Sequence, residues 1–136
     1  MDRLLLDTGF LVAYGKRHDS LHAKADQFLS KYRGGLYSVS AVITETCFHM
    51  DSPAKRGLLE WVEGGSLSVV EVPVSAYGEL ARTIGKYADR NVDFADAALV
   101  WLAEKSGIRR ILTTDRRDFL TFRLKDGKRF DLIEWF

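Results

Sequence analysis

The chain has 136 residues, which fits one domain of ordinary size, so residues 1–136 are expected to form a single domain. Its one cysteine, Cys47, excludes a disulfide framework and a structural zinc site and favours a reducing, cytoplasmic location. No stretch approaches the roughly 20 apolar residues of a membrane span, and Asp2 and Asp7 argue against a secretory signal, so neither membrane association nor export is expected. Twenty basic and 19 acidic residues leave a net charge of +1, so the chain as a whole has no excess positive charge for nucleic acid.

The first third of the chain predicts two strands with helix between them. Arg3–Leu6 is an apolar run that favours a buried strand, followed by a polar turn at residues 7–9 and then helix. Residues 36–39 return to a strand pattern, and Ser40 is the expected N-cap of the next helix. The residues that recur at helical spacing between the two strands are His22, Ala25, Phe28 and Leu29.

The rest of the chain continues to alternate. A helical piece around residues 58–62 should end at Gly64, and residues 67–72 form the third predicted strand. Further helices are expected over residues 75–87 and 94–106, and further strands over 108–113 and 130–133. Strands separated by helices, without tight hairpin signals, imply right-handed crossovers. We therefore expect an α/β fold with a mostly parallel central sheet of four to five strands and helices on both faces.

Acidic residues follow the predicted strands, at the edge where parallel α/β sheets place their functional crevice. Asp7 follows the first strand, Glu45 lies one turn into the helix after the second, and Asp115 follows the fourth. Asp93 and Asp96 are three residues apart at a helix start, so both lie on one helical face near the positive end of the helix dipole. These carboxylates are expected to converge.

Converging carboxylates repel one another unless a cation or bound protons neutralise them. Two of them ~5 Å apart repel by about 3 kcal/mol at an effective dielectric constant near 20. Mg²⁺ and Mn²⁺ prefer carboxylate oxygens and water, and such an ion can activate water for attack on a phosphodiester. The sequence thus predicts a divalent-metal site whose carboxylates have raised pKa values when no metal is bound.

Four segments carry a pattern that is not generic: residues 4–9 (LLLDTG), 40–45 (SAVITE), 93–99 (DFADAAL) and 113–119 (TTDRRDF). In this order they closely resemble the PIN-domain ribonucleases over almost the whole chain, and best the VapC-like toxins of toxin–antitoxin pairs. The resemblance implies a PIN-like three-layer α/β/α sandwich and an endoribonuclease dependent on Mg²⁺ or Mn²⁺. It also implies a homodimer and a cognate antitoxin whose tail carries a basic residue into the acidic pocket.

The resemblance also assigns roles to individual residues. The implied catalytic and metal-binding residues are Asp7, Glu45, Asp96, Asp115 and, less regularly, Asp93. Thr8 and Thr114 match small hydroxyl positions beside the site. Gly9 stands where many members have Ser or Asn, and Phe10 where this subgroup often has Pro. Gly9 therefore removes a hydrogen-bonding side chain near the site but leaves the acids in place.

Several polar residues have structural interpretations as well. Asp93 and Asp96 match a capping box, so Asp93 can be a helix cap, a metal ligand or both. Asp115 can cap the turn that follows it while binding a metal through its other oxygen, and Asp118 is expected to be structural. His49 lies four residues after the glutamate, an ordinary helix contact, and is not expected to bind the metal.

Positive charge is concentrated in one segment. Residues 109–129 contain eight bases and three acids, a local charge of +5. We expect this segment, and Arg116 and Arg117 in particular, to hold the RNA backbone beside the acidic pocket. The alternative is a solvated surface run without a ligand.

Three other functions fit parts of the pattern. A stand-alone PIN-domain RNA-processing nuclease without a toxin role cannot be separated by sequence from a toxin. A non-catalytic PIN module that binds RNA or protein would normally lack one of the acids, and none is missing. A phospho-receiver domain would need paired acids after the first strand and a lysine near the end of the fifth, and neither is present.

Overall fold

A five-stranded sheet forms the centre of the protein, as seen in a computed structural model that describes residues 2–136. Its strands are β1 Arg3–Leu6, β2 Gly35–Val39, β3 Ser68–Val70, β4 Arg110–Leu112 and β5 Asp131–Leu132. They lie in the order β3-β2-β1-β4-β5, and each neighbouring pair is parallel. The predicted α/β class with a mostly parallel sheet is confirmed, and all five strands are parallel.

Within residues 2–136, seven α-helices flank this sheet and complete the three-layer α/β/α arrangement. They are α1 Thr8–Gly15, α2 His22–Lys31, α3 Ser40–Phe48, α4 Ser52–Glu63, α5 Tyr77–Lys86, α6 Phe94–Ser106 and α7 Arg116–Thr121. Short 3-10 turns at Val74–Ala76 and Ala88–Arg90 precede α5 and follow it. Among residues 2–136, no helix is long and apolar enough to cross a membrane.

The hydrophobic core is built around β1, the middle strand. Leu4, Leu5 and Leu6 are fully buried, and a strand covered on both faces has this continuous apolar run instead of an alternating pattern. Helix α6 is buried around most of its circumference, since every residue from 97 to 103 is buried. It packs against α3, α5 and β2, which fixes the position of its first turn and of Asp96.

The structure corrects two predicted boundaries at the ends of strands. Residues 8 and 9 belong to helix α1 and not to a polar turn, and Asp7 takes the N-cap position with an extended backbone. The predicted Ser40 cap is also wrong, because α3 begins at Ser40 with Val39 at its N-cap and no capping side chain. In both places a strand leads into a helix without a loop, so the acids there are carried by regular structure.

Two helices extend beyond the sequence-based expectation. Helix α4 begins well before residue 58, because the Asp51 side chain caps it and Pro53 sits in its first turn. Helix α7 occupies the place of an expected turn and is capped by the Asp115 side chain. Polar caps, and not apolar periodicity, mark both starts.

Candidate active site

The acids meet at the carboxyl edge of three neighbouring strands. Asp7 follows β1 directly and is 6% exposed, and its backbone N–H donates to the Leu112 carbonyl of β4 at 3.0 Å. Asp115 comes three residues after β4, and Glu45 lies in α3, which starts directly after β2. The parallel order β2-β1-β4 therefore brings together acids that are far apart in sequence.

A buried threonine, Thr113, holds the deepest of these acids. Its hydroxyl donates to Asp7 Oδ2 at 2.7 Å and accepts from the Asp115 backbone N–H at 2.9 Å. Its carbonyl accepts from the Trp135 indole N–H at 3.2 Å. Sequence reasoning missed Thr113 and named the neighbouring Thr114, which is exposed. The available signal was a hydroxyl residue at a strand end, but its partner lies 106 residues away.

Burial sets the acidity of Asp7. It raises the pKa of Asp7 from 3.8 to about 6, against the opposing effect of hydrogen bonds from the Thr113 hydroxyl and the Thr8 backbone. The charges of Glu45 and Asp115 raise it further. The pKa of Asp7 is raised, as expected for converging acids, but burial contributes more to this rise than repulsion by the other carboxylates does.

Asp93 and Asp96 form a capping box at the start of α6, as the sequence predicts. The Asp96 backbone N–H donates to Asp93 Oδ1 at 2.9 Å, and the Asp93 backbone N–H faces Asp96 Oδ2 at 3.5 Å. Burial, followed by the charges of Asp93 and Asp7, raises the pKa of Asp96 to about 8. Asp93 thus caps the helix through one oxygen while its charge acts on the neighbouring acids.

Glu45 completes the cluster from α3. Burial raises its pKa, the Thr8 hydroxyl lowers it, and the Asp93 charge raises it again. The Thr8 hydroxyl is buried and forms no hydrogen bond of good geometry with any residue from 2 to 136, although it lies close enough to affect Glu45. His49 also lowers the pKa of Glu45 by its charge. The Thr8 hydroxyl therefore belongs to the polar surroundings of the Glu45 carboxylate.

Asp115 both caps a helix and faces the cluster. Its Oδ1 accepts from the Asp118 backbone N–H at 3.2 Å. Burial raises the pKa of Asp115, and the charges of Asp118 and Asp93 add to the rise. The Asp118 side chain forms an ion pair with Arg90 at 2.9 Å, as expected for a structural residue.

The five acids form one electrostatic unit. The charge of Asp93 raises the pKa of three of the others, and Asp7 is coupled to the charges of Glu45 and Asp115. In the described part of the chain, no three His, Cys, Asp or Glu side chains are close enough to enclose a metal ion as they stand. The donor set nevertheless suits Mg²⁺, which keeps several of its waters and is usually bound through only one or two carboxylates. The raised pKa values and the unpartnered Thr8 hydroxyl fit such an ion.

Gly9 is required by a close approach to Thr114. A β-carbon at Gly9 would clash with Thr114 Oγ1 and lie 2.9 Å from Thr114 Cβ. Turning the threonine side chain could move the oxygen away but not its β-carbon. The Thr114 side chain therefore fills the space next to Gly9, and this contact joins the first turn of α1 to the segment before Asp115.

The bases of segment 109–129 differ in their partners, so the predicted basic flank stays a prediction for those without one. Arg110 pairs with Asp2 at 3.4 Å, at the amino end of β4 and away from the acids. The Arg123 guanidinium donates to three backbone carbonyls at the end of α7. Arg116 and Arg117, in the first turn of α7, are exposed and form no ion pair with any described residue. Among the bases of the segment, these two directly follow Asp115 in the chain.

The three histidines line a separate cleft. This cleft has a volume of about 870 Å³ and lies between the α1–α2 connection and α4, with Tyr14 and Trp61 in its wall. His22 Nδ1 lies 3.0 Å from the Ala13 carbonyl, a structural contact. The residues that line this cleft include none of the five clustered acids, although the charge of His49 reaches Glu45. The carboxylates and hydroxyls of the cluster offer oxygen ligands, which suit a hard cation better than zinc.

Comparison with known proteins agrees with this geometry. The family model for the PIN domain matches residues 4–124. Ribonuclease VapC26 of Mycobacterium tuberculosis (strain ATCC 25618 / H37Rv) is 29% identical to this chain over 134 residues, which span 96% of this chain and 99% of that protein. The fold matches the crystal structure of Mycobacterium tuberculosis VapC20, a sarcin-ricin loop cleaving toxin, with a TM-score of 0.76 and 19% identity over 84% of this chain and 91% of that one. Because the family match takes in most of the chain and all of the clustered acids, this protein belongs to the PIN-domain family.

Proposed function

We propose that residues 1–136 act as a single PIN domain that hydrolyses RNA phosphodiester bonds with Mg²⁺ or Mn²⁺, and that the protein is the toxin of a toxin–antitoxin pair. The observation that carries the proposal is the cluster of coupled carboxylates at the sheet edge, with pKa values raised to about 6 for Asp7 and about 8 for Asp96. The similarity to a protein named as a VapC ribonuclease supports RNA as the substrate.

Asp7, Glu45, Asp96 and Asp115 are the proposed ligands, directly or through waters that the ion keeps, with Asp93 as a further acid. When bound, the divalent ion neutralises charge on the reacting phosphate and lowers the pKa of a coordinated water. The protein side chains supply the hydrogen bonds around the ligands. Thr113 keeps Asp7 oriented, and the buried Thr8 hydroxyl lies beside the Glu45 carboxylate and lowers its pKa.

The exposed arginines position the substrate. Arg116 and Arg117 lie at the amino end of α7, one and two residues after Asp115, and carry no partner among the described residues. Guanidinium groups bind phosphate oxygens in a fork, so they can hold the RNA backbone next to the acids. This contact is independent of sequence and should weaken with salt.

The proposed partners are a small antitoxin and a second copy of the chain, and the proposed location is the cytoplasm. A basic antitoxin side chain would neutralise the acid cluster in the same way as a cation. Phe48 and Val74 are 81% and 77% exposed, and Tyr77 and Phe94 are also exposed and contact each other. A second copy could cover exposed apolar side chains of this kind. Light scattering tests the dimer, and a monomeric mass would refute it. Co-purification from the native host tests for the antitoxin.

The catalytic assignment is tested by single amide substitutions. Asp7→Asn, Glu45→Gln, Asp96→Asn and Asp115→Asn should each abolish cleavage of total RNA in Mn²⁺ while the circular dichroism spectrum stays native. Asp93→Asn should lose less activity, because asparagine still caps a helix. Glu63→Gln, an exposed acid at the end of α4, is the matched control. Near-wild-type cleavage by one of the four would remove that residue from the site, and inactivity of the wild type with Mg²⁺ and Mn²⁺ would refute the proposed function.

A further inference from the structure

The acids of the proposed site are carried by segments that pack against different parts of the fold. Asp93 and Asp96 start α6, which packs against α3, α5 and β2. Asp115 precedes α7, which packs against β5 at the edge of the sheet. Asp115 itself follows β4, which is separated from β2 only by β1. The sheet brings the two groups of acids to one edge, but both lie beyond the strand ends, so their spacing also depends on how the starts of α6 and α7 are held.

One ion pair bridges the two segments. Arg90 Nη1 lies 2.9 Å from Asp118 Oδ1, and their side chains are only 28% and 23% exposed. Arg90 comes three residues before Asp93, and Asp118 comes three residues after Asp115. The bridge thus lies close in sequence to one acid of each segment.

A second contact joins the segment before α6 to the segment around α7. The Arg123 backbone N–H, just after α7, donates to the Tyr87 hydroxyl at 2.8 Å, and the Tyr87 and Phe122 rings pack with centroids 5.0 Å apart. Between this contact and α6, Asn91 adopts a left-handed conformation with φ 55°. The chain therefore turns between Arg90 and the α6 cap at Asp93. Because only two residues separate Arg90 from Asp93, holding Arg90 in place also restricts the position of Asp93.

We propose that Arg90 and Asp118 are positioning residues for the acid cluster, and that their ion pair sets the separation between the α6 cap and Asp115. The inference rests on the proposed function, because the separation matters through the ion that the acids hold. A partly exposed pair contributes little to global stability. Groups that orient metal ligands without touching the metal alter its affinity by about 10–100-fold, so the effect should be seen in binding and not in folding.

The test compares Arg90→Gln, Asp118→Asn, the double variant and Arg90→Lys, which keeps the charge. Lys105→Gln is the control, since it removes a 3.5 Å ion pair with Glu79 at the far end of α6. Hydrogen exchange of residues 88–93 is measured on the metal-free proteins, and Mn²⁺ affinity is measured by calorimetry without RNA. Each single variant should speed exchange and weaken Mn²⁺ binding about tenfold, with kcat at saturating Mn²⁺ within about twofold of wild type. The double variant should match the singles, and Arg90→Lys should stay close to wild type.

Three results would overturn the inference. Unchanged exchange and Mn²⁺ affinity in Arg90→Gln would show that the pair fixes nothing at the site. Additive losses in the double variant would show that the two residues act separately. A raised KM for RNA with normal Mn²⁺ affinity would show that Arg90 contacts the substrate. If the wild type itself binds no Mn²⁺, the proposed function fails instead, and the exchange data still decide whether the pair holds the segment before α6.

Discussion

Asp96→Asn should stabilise the metal-free protein at neutral pH but not in acid. The pKa of Asp96 is raised from 3.8 to about 8, so between these values the folded protein keeps a proton that the unfolded chain has lost. A raised carboxyl pKa gives stability that is fully present below the unfolded pKa and is lost as the pH rises toward the folded value. Asparagine does not titrate, so it avoids this loss, and its side-chain oxygen can still accept from the Asp93 backbone N–H.

The size of the effect follows from the pKa difference. Each pH unit between the unfolded pKa and the working pH is equivalent to about 1.4 kcal/mol, so about three units give an upper limit near 4 kcal/mol at pH 7. Asp96 is not fully buried, and solvent screening reduces this to about 2 kcal/mol. For a chain of this length, that corresponds to a rise of roughly 6–10 °C in melting temperature.

Differential scanning fluorimetry from pH 4 to pH 7.5 with a chelator present measures this directly. The melting temperatures of Asp96→Asn and wild type should coincide near pH 4 and separate steadily as the pH rises. Glu63→Gln should follow wild type throughout, since this acid lies outside the cluster. A lower melting temperature for Asp96→Asn at pH 7, or a difference that does not change with pH, would refute the electrostatic reasoning.

Three further predictions concern the same cluster. Mg²⁺ at 10 mM, with an assumed Kd of ~1 mM, should stabilise wild type by about 1.4 kcal/mol and Asp96→Asn much less. Equal shifts in melting temperature for the two proteins in scanning fluorimetry would show that the ion binds elsewhere. Gly9→Ala should lower RNA cleavage about tenfold, because its β-carbon meets the Thr114 side chain. Adding Thr114→Gly to this variant should restore cleavage. If Gly9→Ala alone is fully active, the Thr114 side chain can move aside without cost. Thr113→Val should raise the pKa of Asp7 further and move the acid limb of the cleavage pH profile to higher pH. An unchanged profile would mean that the Thr113 hydroxyl does not control the pKa of Asp7.

The sequence predicted the parallel sheet and the edge at which the acids lie, because both follow from local patterns. The apolar run in β1 and the capping box at Asp93 can be recognised within a few residues. The start of α1 at Thr8 could not be separated from a polar turn, since its residues show no helical periodicity. Thr113 and Arg90 were beyond local reasoning, because their partners lie 106 and 28 residues away and depend on how β4 and α7 pack. Local reasoning could not separate the bases of residues 109–129 either, because Arg110 pairs with an acid and Arg109 with a carbonyl that lie far away in the sequence.

The indole of Trp135 gives the protein an intrinsic optical probe. Its N–H bonds to the Thr113 carbonyl, and the hydroxyl of the same threonine bonds to Asp7, so the fluorophore is two hydrogen bonds from the acid cluster. Indole emission depends on the hydrogen bond and the electric field at the ring, so arrival of a cation at Asp7 should shift its wavelength. With Trp61 and Trp101 replaced by phenylalanine, the remaining emission would report site occupancy in real time, without a labelled RNA.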